Sequence, residues 1–287
     1  MTRYPASPEQ VNDQEKTMLG ASKLVLPLLA ALLAPPSVIR HGLPIEGEQA
    51  EWFLATATVV SMTPVGRGVT RPQKVTLDDG TQVLHAIWKG VDELRHKVTR
   101  SDKGSFQIGF RDSYKYEIAA YELDKLLGLG LVPPTVTRRI DEKDGSLQMW
   151  VEGAFSEVDR QEKDLRPLNN GRWSQDIYKV HLLNQLIYNS DTRNDHNLLY
   201  DPDFRVYAID HSRSFRLYSE LFAEKELRRF SRSVLERLRS LDPARIEDRL
   251  GPWLSEKEID ALLKRRDLIL ELADSLVARW GESVVLY

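Results

Sequence analysis

Three polar residues near the middle of the chain have the types and spacing expected of a site for metal and phosphate. Asp191 and Asn197 stand six residues apart in a polar segment, and Asp210 follows at the end of a short apolar run. Carboxylate and amide oxygens suit Mg²⁺, and phosphoryl transfer also needs a carboxylate near the attacking hydroxyl. The pattern therefore predicts Asp191 beside the hydroxyl, with Asn197 and Asp210 as ligands of the metal.

The elements around these residues predict how they are held in place. Apolar residues recur at helical spacing from Trp173 to Ile187, which predicts a helix that ends before the polar segment. Two apolar runs, 198–200 and 206–209, flank a turn at 201–203 and predict a β-hairpin. The three polar residues then lie at the ends of rigid elements, where binding groups are commonly held. Each of them alone is also a common cap or turn residue, so the prediction depends on all three together.

A pair of glycines lies upstream, before a second predicted hairpin. Gly66 and Gly68 are two residues apart, and without a Cβ they let backbone amides approach a phosphate group closely. Predicted strands at 74–77 and 82–89, joined by a turn at 78–80, follow directly. A plain turn alone would explain the two glycines, but their position before the hairpin favours a phosphate-binding loop.

The segment from residue 113 to residue 128 predicts a regular helix. Its apolar residues recur at helical spacing, and Gly128 or Gly130 is expected to stop it. The two prolines that follow force the chain into an extended conformation. Strands are predicted next, at 135–140 and 146–151, on either side of a short turn.

The remaining segments predict elements that surround this site. A short helix is expected from residue 46 to residue 60, and an exposed loop from 156 to 172. After Phe215 the pattern is helical, and the basic clusters Arg228-Arg229 and Lys264-Arg265-Arg266 are expected on solvated helix faces. The amphipathic stretches that predict these C-terminal helices are 221–227, 234–241 and 254–280.

Together these segments resemble the protein-kinase-like superfamily. The loop N-S-D-T-R that begins at Asn189, and the I-D-H-S-R-S-F that ends at Phe215, resemble the motifs N-x-D-R-x-x-x-N and I/L-D-x-x-x-x-F. These motifs occur in the atypical branch that holds the HipA-type kinases, the phosphoinositide kinases and the secretory-pathway casein kinases. The text E-I-A-A-Y-x-L-D-x-L-L-G-x-x-x-V-P-P-T-V, which begins at Glu117, closely matches the casein kinases of the secretory pathway and their bacterial relatives.

One departure from the family pattern affects the metal loop. In the family pattern the asparagine stands five positions after the aspartate, whereas Asn197 stands six positions after Asp191. Thr192 is a candidate for the inserted residue. Asp195 then becomes a possible substitute ligand for the metal.

The resemblance implies a two-lobed α+β fold. A small β-rich N-lobe with one key helix would span residues 46–152, and a mostly helical C-lobe would span 153–287. The catalytic and metal loop would lie at 189–215, and residues 1–45 would form a leader or a flexible extension.

The resemblance also implies roles for residues outside the metal loop. Lys89 would contact the phosphates of the nucleotide, with Lys97 and Lys103 as competing candidates. Glu117 would pair with Lys89 or help to hold the metal. The adenine contacts would be made by the hinge, largely through its backbone, and the candidates are Gln148, Trp150 and Glu152.

Composition limits the partners and the cellular setting. The 287-residue chain has a net charge of −3, which gives no electrostatic reason to expect nucleic acid as a partner. It has no cysteine, which excludes disulfides and thiolate metal sites, and this favours a bacterial type of relative over the disulfide-rich secretory kinases. The apolar run 24–34 is too short to cross a membrane. The expected location is cytoplasmic, unless that run is the core of a signal peptide.

These observations favour an ATP- and Mg²⁺- or Mn²⁺-dependent phosphotransferase. Its acceptor stays open among protein serine or threonine, a sugar, a lipid headgroup and a small molecule. A nucleotide-binding pseudokinase scaffold and an AMP transferase on the same fold are alternatives. A further alternative is metal-dependent hydrolysis by a cluster of acidic residues and histidines, which are Asp191, Asp195, His196, Asp210 and His211.

Overall fold

The computed structural model describes six stretches of the chain, which are residues 42–66, 72–95, 99–100, 106–107, 110–191 and 195–287. They belong to one compact unit that spans Arg40–Tyr287. Several sequence predictions lie outside the described residues, namely those for residues 1–41, Gly68, Lys97, Lys103 and Thr192.

The first half of the described chain is built mainly from strands. Its elements are α1 (Gly47–Thr56), β1 (Thr58–Pro64), β2 (Gln73–Asp78), β3 (Val83–Lys89), β4 (Asp92–Arg95), β5 (Thr99–Arg100), β6 (Phe106–Gln107), β7 (Phe110–Ser113), α2 (Tyr114–Leu127), β8 (Thr135–Ile140) and β9 (Lys143–Met149). Five of these strands form one antiparallel sheet in the order β1-β2-β3-β9-β8. The strands predicted around Lys89 and after residue 134 are therefore present.

One face of this sheet packs against α1. Val75, Leu77, Ala86 and Leu147 alternate along their strands with more polar residues and are fully buried, together with Phe53 of the helix. Lys89 is on the opposite face, because side chains of a strand alternate between the two faces. The sheet thus separates an apolar core from the face that carries the predicted phosphate ligand.

The helix predicted for residues 46–60 is too long. Helix α1 ends at Thr56, and residues 58–64 form the edge strand β1. Val59 and Val60 are β-branched residues, which favour strands, and the pairing of β1 with β2 outweighs the helical spacing. Trp52, on this helix, is 72% exposed.

Helix α2 confirms the helix predicted from the sequence, and both of its ends are capped. The Ser113 hydroxyl accepts a hydrogen bond from the Lys115 amide, and Gly128 ends the helix with φ of +61°. Its apolar residues Tyr116 and Leu123 lie in the same core as the C-terminal helices. The helix that bears Glu117 is therefore fixed to the helical part of the molecule as well as to the sheet.

The second half of the chain is mostly helical. Its elements are β10 (Phe155–Ser156), α3 (Glu157–Glu162), α4 (Asn170–Leu186), β11 (Leu198–Tyr200), β12 (Val206–Ala208), α5 (Arg232–Arg239), α6 (Pro243–Leu250), α7 (Glu256–Trp280) and α8 (Glu282–Val285). Strands β10, β11 and β12 form a small sheet, which includes the hairpin predicted for residues 198–209. No helix within the described stretches is long and apolar enough to cross a membrane.

Two predictions in this half are wrong in part. The loop expected at 156–172 contains α3, which begins with a capping box between Ser156 and Asp159. The helix expected at 221–227 is only a 3-10 turn at Glu224–Glu226. In both places short-range hydrogen bonds decide the structure, and the spacing of apolar residues does not reveal them.

Candidate active site

A buried lysine between two carboxylates forms the centre of the site. Nζ of Lys89 lies 2.6 Å from Oε1 of Glu117 and 2.8 Å from Oδ1 of Asp210. The side chain of Lys89 is 10% exposed and that of Glu117 is 1% exposed, whereas that of Asp210 is 41% exposed. The sheet, helix α2 and the segment after β12 each contribute one of these residues.

The three charges support one another. Burial alone would lower the pKa of Lys89, but the negative charges of Asp210 and Glu117 outweigh it and raise that pKa above its ordinary value of 10.5. Burial alone would raise the pKa of Glu117, but the charge of Lys89 and the contact with His211 lower it below the ordinary value of 4.5. Lys89 and Glu117 therefore both stay charged at neutral pH.

The segment that carries Asp210 is held in place by its backbone. The His211 amide donates to Oε2 of Glu117 at 3.0 Å, and the Ser113 amide donates to the Ser212 carbonyl at 2.8 Å. Asp210 and Phe215 both have a positive φ, +64° and +54°. Such a backbone conformation is uncommon for residues other than glycine and persists where surrounding contacts enforce it. The segment is thus constrained at both ends.

The loop that begins with Asp191 is organised by two asparagines. Asn189 is 6% exposed, and its amide donates to the Asn184 carbonyl at 2.8 Å, one turn back along α4. Its side-chain Nδ2 donates to Oδ1 of Asn184 at 3.2 Å, and its Oδ1 accepts from the Asp191 amide at 3.4 Å. Asp191 itself is exposed at the end of this turn. Its backbone position is therefore set by buried polar groups.

Asp210 and Asn197 fit a divalent metal by the chemistry of their oxygens. Lys89 occupies Oδ1 of Asp210, and within the described stretches Oδ2 makes no hydrogen bond. The side-chain Nδ2 of Asn197 is buried without a hydrogen-bond partner there. No three acidic or histidine side chains gather into a complete metal site among the described residues. A magnesium ion that is also bound by substrate phosphates commonly takes only one or two protein ligands, so this pair fits such a site.

The predicted phosphate loop connects β1 to β2, and Gln148 lies on β9, which pairs with the strand of Lys89. Gly66 is exposed in the connection between β1 and β2, whereas Gly68 lies outside the described residues. Gln148 pairs with the residue two before Lys89 and shares its face of the sheet. Its Nε2 donates to Oγ1 of Thr135 at 2.9 Å, so its orientation is fixed.

The backbone of the hinge is partly occupied by other hydrogen bonds. The Trp150 amide donates to a carbonyl of β3 at 3.0 Å, and Glu152 exchanges both of its backbone hydrogen bonds with Gly42. A backbone contact of Glu152 with adenine therefore conflicts with this geometry. The Trp150 carbonyl and the Val151 amide make no hydrogen bond within the described stretches, and these groups lie in the same segment.

A cleft of about 330 Å³ lies beside the loop that carries Asp191 and Asn197, against helix α4. Asp191 and Asn197 line it, together with His211, Glu157 and Glu226. Lys89 and Asp210 do not line it. The candidate site therefore has two sides, one at the buried lysine and one at this cleft.

Comparisons with known proteins were made for sequence and for structure. No family model and no curated protein matches the sequence. A solved structure of hydra Fam20 with sugar superposes with a TM-score of 0.63 at 15% identity, covering 85% of this chain and 93% of that chain. The structure of the golgi casein kinase superposes with a TM-score of 0.58 at 16% identity, covering 83% of this chain and 78% of that chain.

The chain has an atypical protein-kinase-like fold. This confirms the α+β fold class predicted from the sequence. At such low identity the likeness shows the fold alone, and the roles of individual residues depend on the geometry described above.

Sequence reasoning missed one residue that braces the candidate site. Arg265 was expected on a solvated helix face but is 0% exposed. Its guanidinium donates to the carbonyls of Leu186 at 2.9 Å and Arg216 at 3.0 Å, and also to the carbonyl of Tyr218. These carbonyls flank the two functional loops. The neighbouring Lys264 is exposed. The sequence of three basic residues therefore did not show that Arg265 is the buried one.

Proposed function

We propose that this protein is an ATP- and divalent-metal-dependent phosphotransferase that moves the γ-phosphoryl group to a hydroxyl acceptor. The observation that carries the proposal is Lys89, held within 2.8 Å of both Glu117 and Asp210. A fixed cation beside a partly exposed carboxylate suits a phosphate chain with its metal. The kinase-like fold supports the same conclusion, and one of the similar structures is described as a casein kinase.

The residues on the buried side would bind and orient ATP. The loop at Gly66 would cover the phosphates with its backbone amides, and Lys89 would neutralise their charge. Glu117 would hold the ammonium of Lys89 in place, since its own oxygens are taken by Lys89 and by the His211 amide. Of the two roles predicted for Glu117, this arrangement favours pairing with Lys89 over binding the metal.

Asp210 and Asn197 would hold Mg²⁺ or Mn²⁺, which both accept oxygen ligands. When bound, the metal would offset the negative charge of the phosphate oxygens. Asp210 would provide Oδ2 for this purpose, since Oδ1 contacts Lys89. Asn197 would provide its side-chain oxygen.

Asp191 would orient the acceptor hydroxyl and receive its proton. The residue is exposed at the mouth of the cleft, so an acceptor can reach it from solvent. Asn189 positions its backbone through the 3.4 Å contact with the Asp191 amide. Positioning and charge stabilisation provide most of the catalysis in phosphoryl transfer. The reaction rate would therefore depend on how precisely these residues are placed.

The test is ATP binding by calorimetry with Mg²⁺, with Mn²⁺ and with chelator, followed by transfer of radiolabelled γ-phosphate on the same sample. We expect binding that requires a metal, and transfer or turnover that is lost in Asp191→Ala. Absence of ATP binding with either metal would overturn the proposal. The mass of any modified product separates phosphoryl transfer from AMP transfer, since the two groups differ greatly in mass.

A pseudokinase scaffold is the second candidate, because the loop from Asp191 to Asn197 has one residue more than the family pattern. Metal-dependent ATP binding without any transfer would favour it. So would a cellular function that is indifferent to Asp191→Ala. Metal-dependent hydrolysis is less well supported, because no cluster of three acidic or histidine residues forms within the described part of the chain.

A further inference from the structure

A second cavity, a groove of about 530 Å³, lies among the helices of the second half of the chain. No residue assigned to the proposed reaction lines it. Its apolar lining comes mainly from the last turns of α7, where Leu272, Leu276 and Trp280 are four residues apart and share one face. Trp280 is 55% exposed, and Val284 of α8, which also lines the groove, is 57% exposed. This apolar face is therefore open to solvent.

The rest of the groove is mainly basic. Lys225, Arg228 and Arg229 line it, and Glu224 is the one acidic residue among the described residues that do so. The Nε of Arg228 donates to the Lys225 carbonyl at 3.1 Å, which holds this guanidinium in place. The Nε of Arg229 is buried and has no hydrogen-bond partner within the described stretches. Buried donors without a partner are uncommon in native proteins, and an anion satisfies a charged donor best.

Backbone hydrogen bonds join the basic segment of the groove to α8. The Phe230 amide donates to the Val285 carbonyl at 2.8 Å. The Tyr287 amide donates to the Phe230 carbonyl at 3.0 Å, and the guanidinium of Arg229 lies 5.9 Å from the centre of the Tyr287 ring. The basic and apolar parts of the lining are therefore fixed relative to each other. A ligand that matches both parts would bind without the cost of ordering them.

We propose that this groove binds an amphipathic carboxylate with a single alkyl chain, such as a fatty acid. The carboxylate would pair with Arg228 and Arg229, and the alkyl chain would lie against Leu272, Leu276 and Trp280. Apolar cavities of about 300–1,000 Å³ with a few charged groups are typical of small-molecule sites. The proposal requires no nucleotide and does not depend on the proposed phosphotransferase function.

The size of the groove favours a small molecule over a protein partner. Eleven residues line it, whereas each side of a standard protein interface contributes about 20–30 residues. An anionic membrane surface is another possible partner for basic residues beside an exposed tryptophan. The Nε of Arg229 is buried, however, so a flat layer of headgroups would not reach it. A single carboxylate that enters the groove would reach it.

The test measures the binding of dodecanoate to the full-length protein by calorimetry, below the concentration at which this probe forms micelles. Dodecanol is the matched neutral probe, and dodecyltrimethylammonium is the matched cationic probe. We expect dodecanoate to bind at least about tenfold more tightly than dodecanol, as a hydrogen bond to a charged group produces. The cationic probe should not bind. Decanoate should bind roughly tenfold more weakly than dodecanoate, because two methylene groups fewer are buried.

Two variants test the basic lining. Arg229→Gln should weaken the binding of dodecanoate about tenfold and leave that of dodecanol unchanged, because it removes the charge and the buried Nε. Arg228→Gln, at an exposed position where the fold is not at risk, should weaken dodecanoate in the same selective way. Lys264→Gln is the matched control, because Lys264 is an exposed basic residue of α7 that does not line the groove. It should change neither affinity.

A third variant tests the apolar lining. Trp280→Ala should weaken dodecanoate and dodecanol by the same factor, about threefold or more, because both alkyl chains lose the same apolar contact. Leu268→Ala removes an exposed apolar side chain of the same helix outside the groove, and it should change neither affinity.

The outcomes separate this proposal from its alternatives. Equal affinity for dodecanoate and dodecanol, or an affinity for dodecanoate that neither arginine variant changes, would overturn it. Failure of every probe to bind would also overturn it. Sedimentation with phosphatidylglycerol vesicles, in a protein that does not bind free dodecanoate, would overturn it in favour of a membrane contact. Loss of ATP binding would overturn only the phosphotransferase, since the probes are measured without nucleotide.

Discussion

The region around Lys89 and the region around Asp191 differ in burial and in the contacts that hold their charged groups. On the buried side, Lys89 lies between the carboxylates of Glu117 and Asp210, and each contact is shorter than 3 Å. In the cleft against helix α4, Asp191 is exposed, and the buried Asn189 accepts a hydrogen bond from its backbone amide. The candidate site therefore combines a buried group of paired charges with an exposed aspartate.

This difference indicates which kind of group each side is built to receive. A fixed lysine suits the anionic phosphates of ATP, and it also makes burial of Glu117 possible, since an unpaired buried carboxylate is costly. An exposed aspartate suits an acceptor that arrives from solvent. Under the proposed function this difference would place ATP at Lys89 and the acceptor at Asp191, and each of the following predictions tests one part of it.

The largest expected effects concern Asp191 and Asp210. Asp191→Ala should lower turnover by roughly 10²- to 10⁴-fold, the usual range for a group that accepts a proton in the reaction, while ATP still binds. Asp210→Ala should instead abolish metal-dependent ATP binding. Calorimetry with Mg²⁺ and single-turnover transfer separate the two effects. Equal ATP affinity in wild type and Asp210→Ala would show that the metal is not bound there.

The next effect concerns the buried pair on the ATP side. Lys89→Met should lower the free energy of unfolding by about 3–5 kcal/mol, because it leaves Glu117 charged and buried without its partner. The double variant Lys89→Met/Glu117→Gln should recover a large part of this loss in urea denaturation, although it does not recover ATP binding.

A matched control for this pair is available on the surface. Lys115 contacts Asp92 at 3.0 Å, but both side chains are about 30% exposed. Lys115→Met should change stability by no more than about 1 kcal/mol. If Lys89→Met lowered the free energy of unfolding as little as Lys115→Met, the buried lysine would not be needed to balance the charge of Glu117.

The pH dependence of stability tests the same pair without removing the lysine. The pKa of Glu117 is lowered in the folded protein, so its contribution is present above the unfolded value of about 4.5 and is lost as pH falls below it. The pKa of Lys89 is raised, so its contribution is present below 10.5 and is lost as pH rises further. The stability difference between wild type and Glu117→Gln, measured in urea at several pH values, should therefore be largest between these limits. A difference that stays constant down to pH 3 would contradict a lowered pKa for Glu117.

The elements of the fold were predictable from the sequence to different degrees. Helix α2 and the strands around Lys89 followed from regular spacing and from a glycine stop, which are local signals. Strand β1 did not, because its partner β2 is supplied by a different segment and the spacing alone favoured a helix. Pairing between segments is a non-local interaction that one stretch of sequence does not reveal.

The candidate site shows the same limit. Lys89 and Glu117 were selected by resemblance to a family, Asp210 was selected first by its position after an apolar run, and the structure brings the three together. The cleft beside Asp191 was not predicted, because its lining residues come from segments far apart in the chain, from Glu157 to Glu226. The hydrogen bonds that occupy the backbone of Glu152 were also not predicted, since bonds between two backbone segments do not depend on residue type.

The last prediction has the smallest expected effect, and it concerns Arg265, which contacts the segments before Asp191 and after Asp210. Arg265 is fully buried without a carboxylate partner in the described stretches, and burial lowers its pKa to about 10. Its guanidinium donates to carbonyls at Leu186, before the Asp191 loop, and at Arg216, after the Asp210 loop. One side chain thus sets the spacing between the segments that carry the two aspartates.

Arg265→Lys keeps the charge but loses the planar fork that reaches carbonyls in two segments. It should lower the free energy of unfolding by about 1.5–3 kcal/mol, the range for a hydrogen bond to a charged group. It should also lower kcat more than it raises the KM for ATP, because the relative placement of Asp191 and Asp210 changes while Lys89 stays in place. Lys264→Ala, at the exposed neighbouring position, should change stability by less than about 0.5 kcal/mol. If the two variants were equally stable and equally active, the segments that carry Asp191 and Asp210 would be positioned independently of each other. The contacts of Arg265 would then be incidental to catalysis.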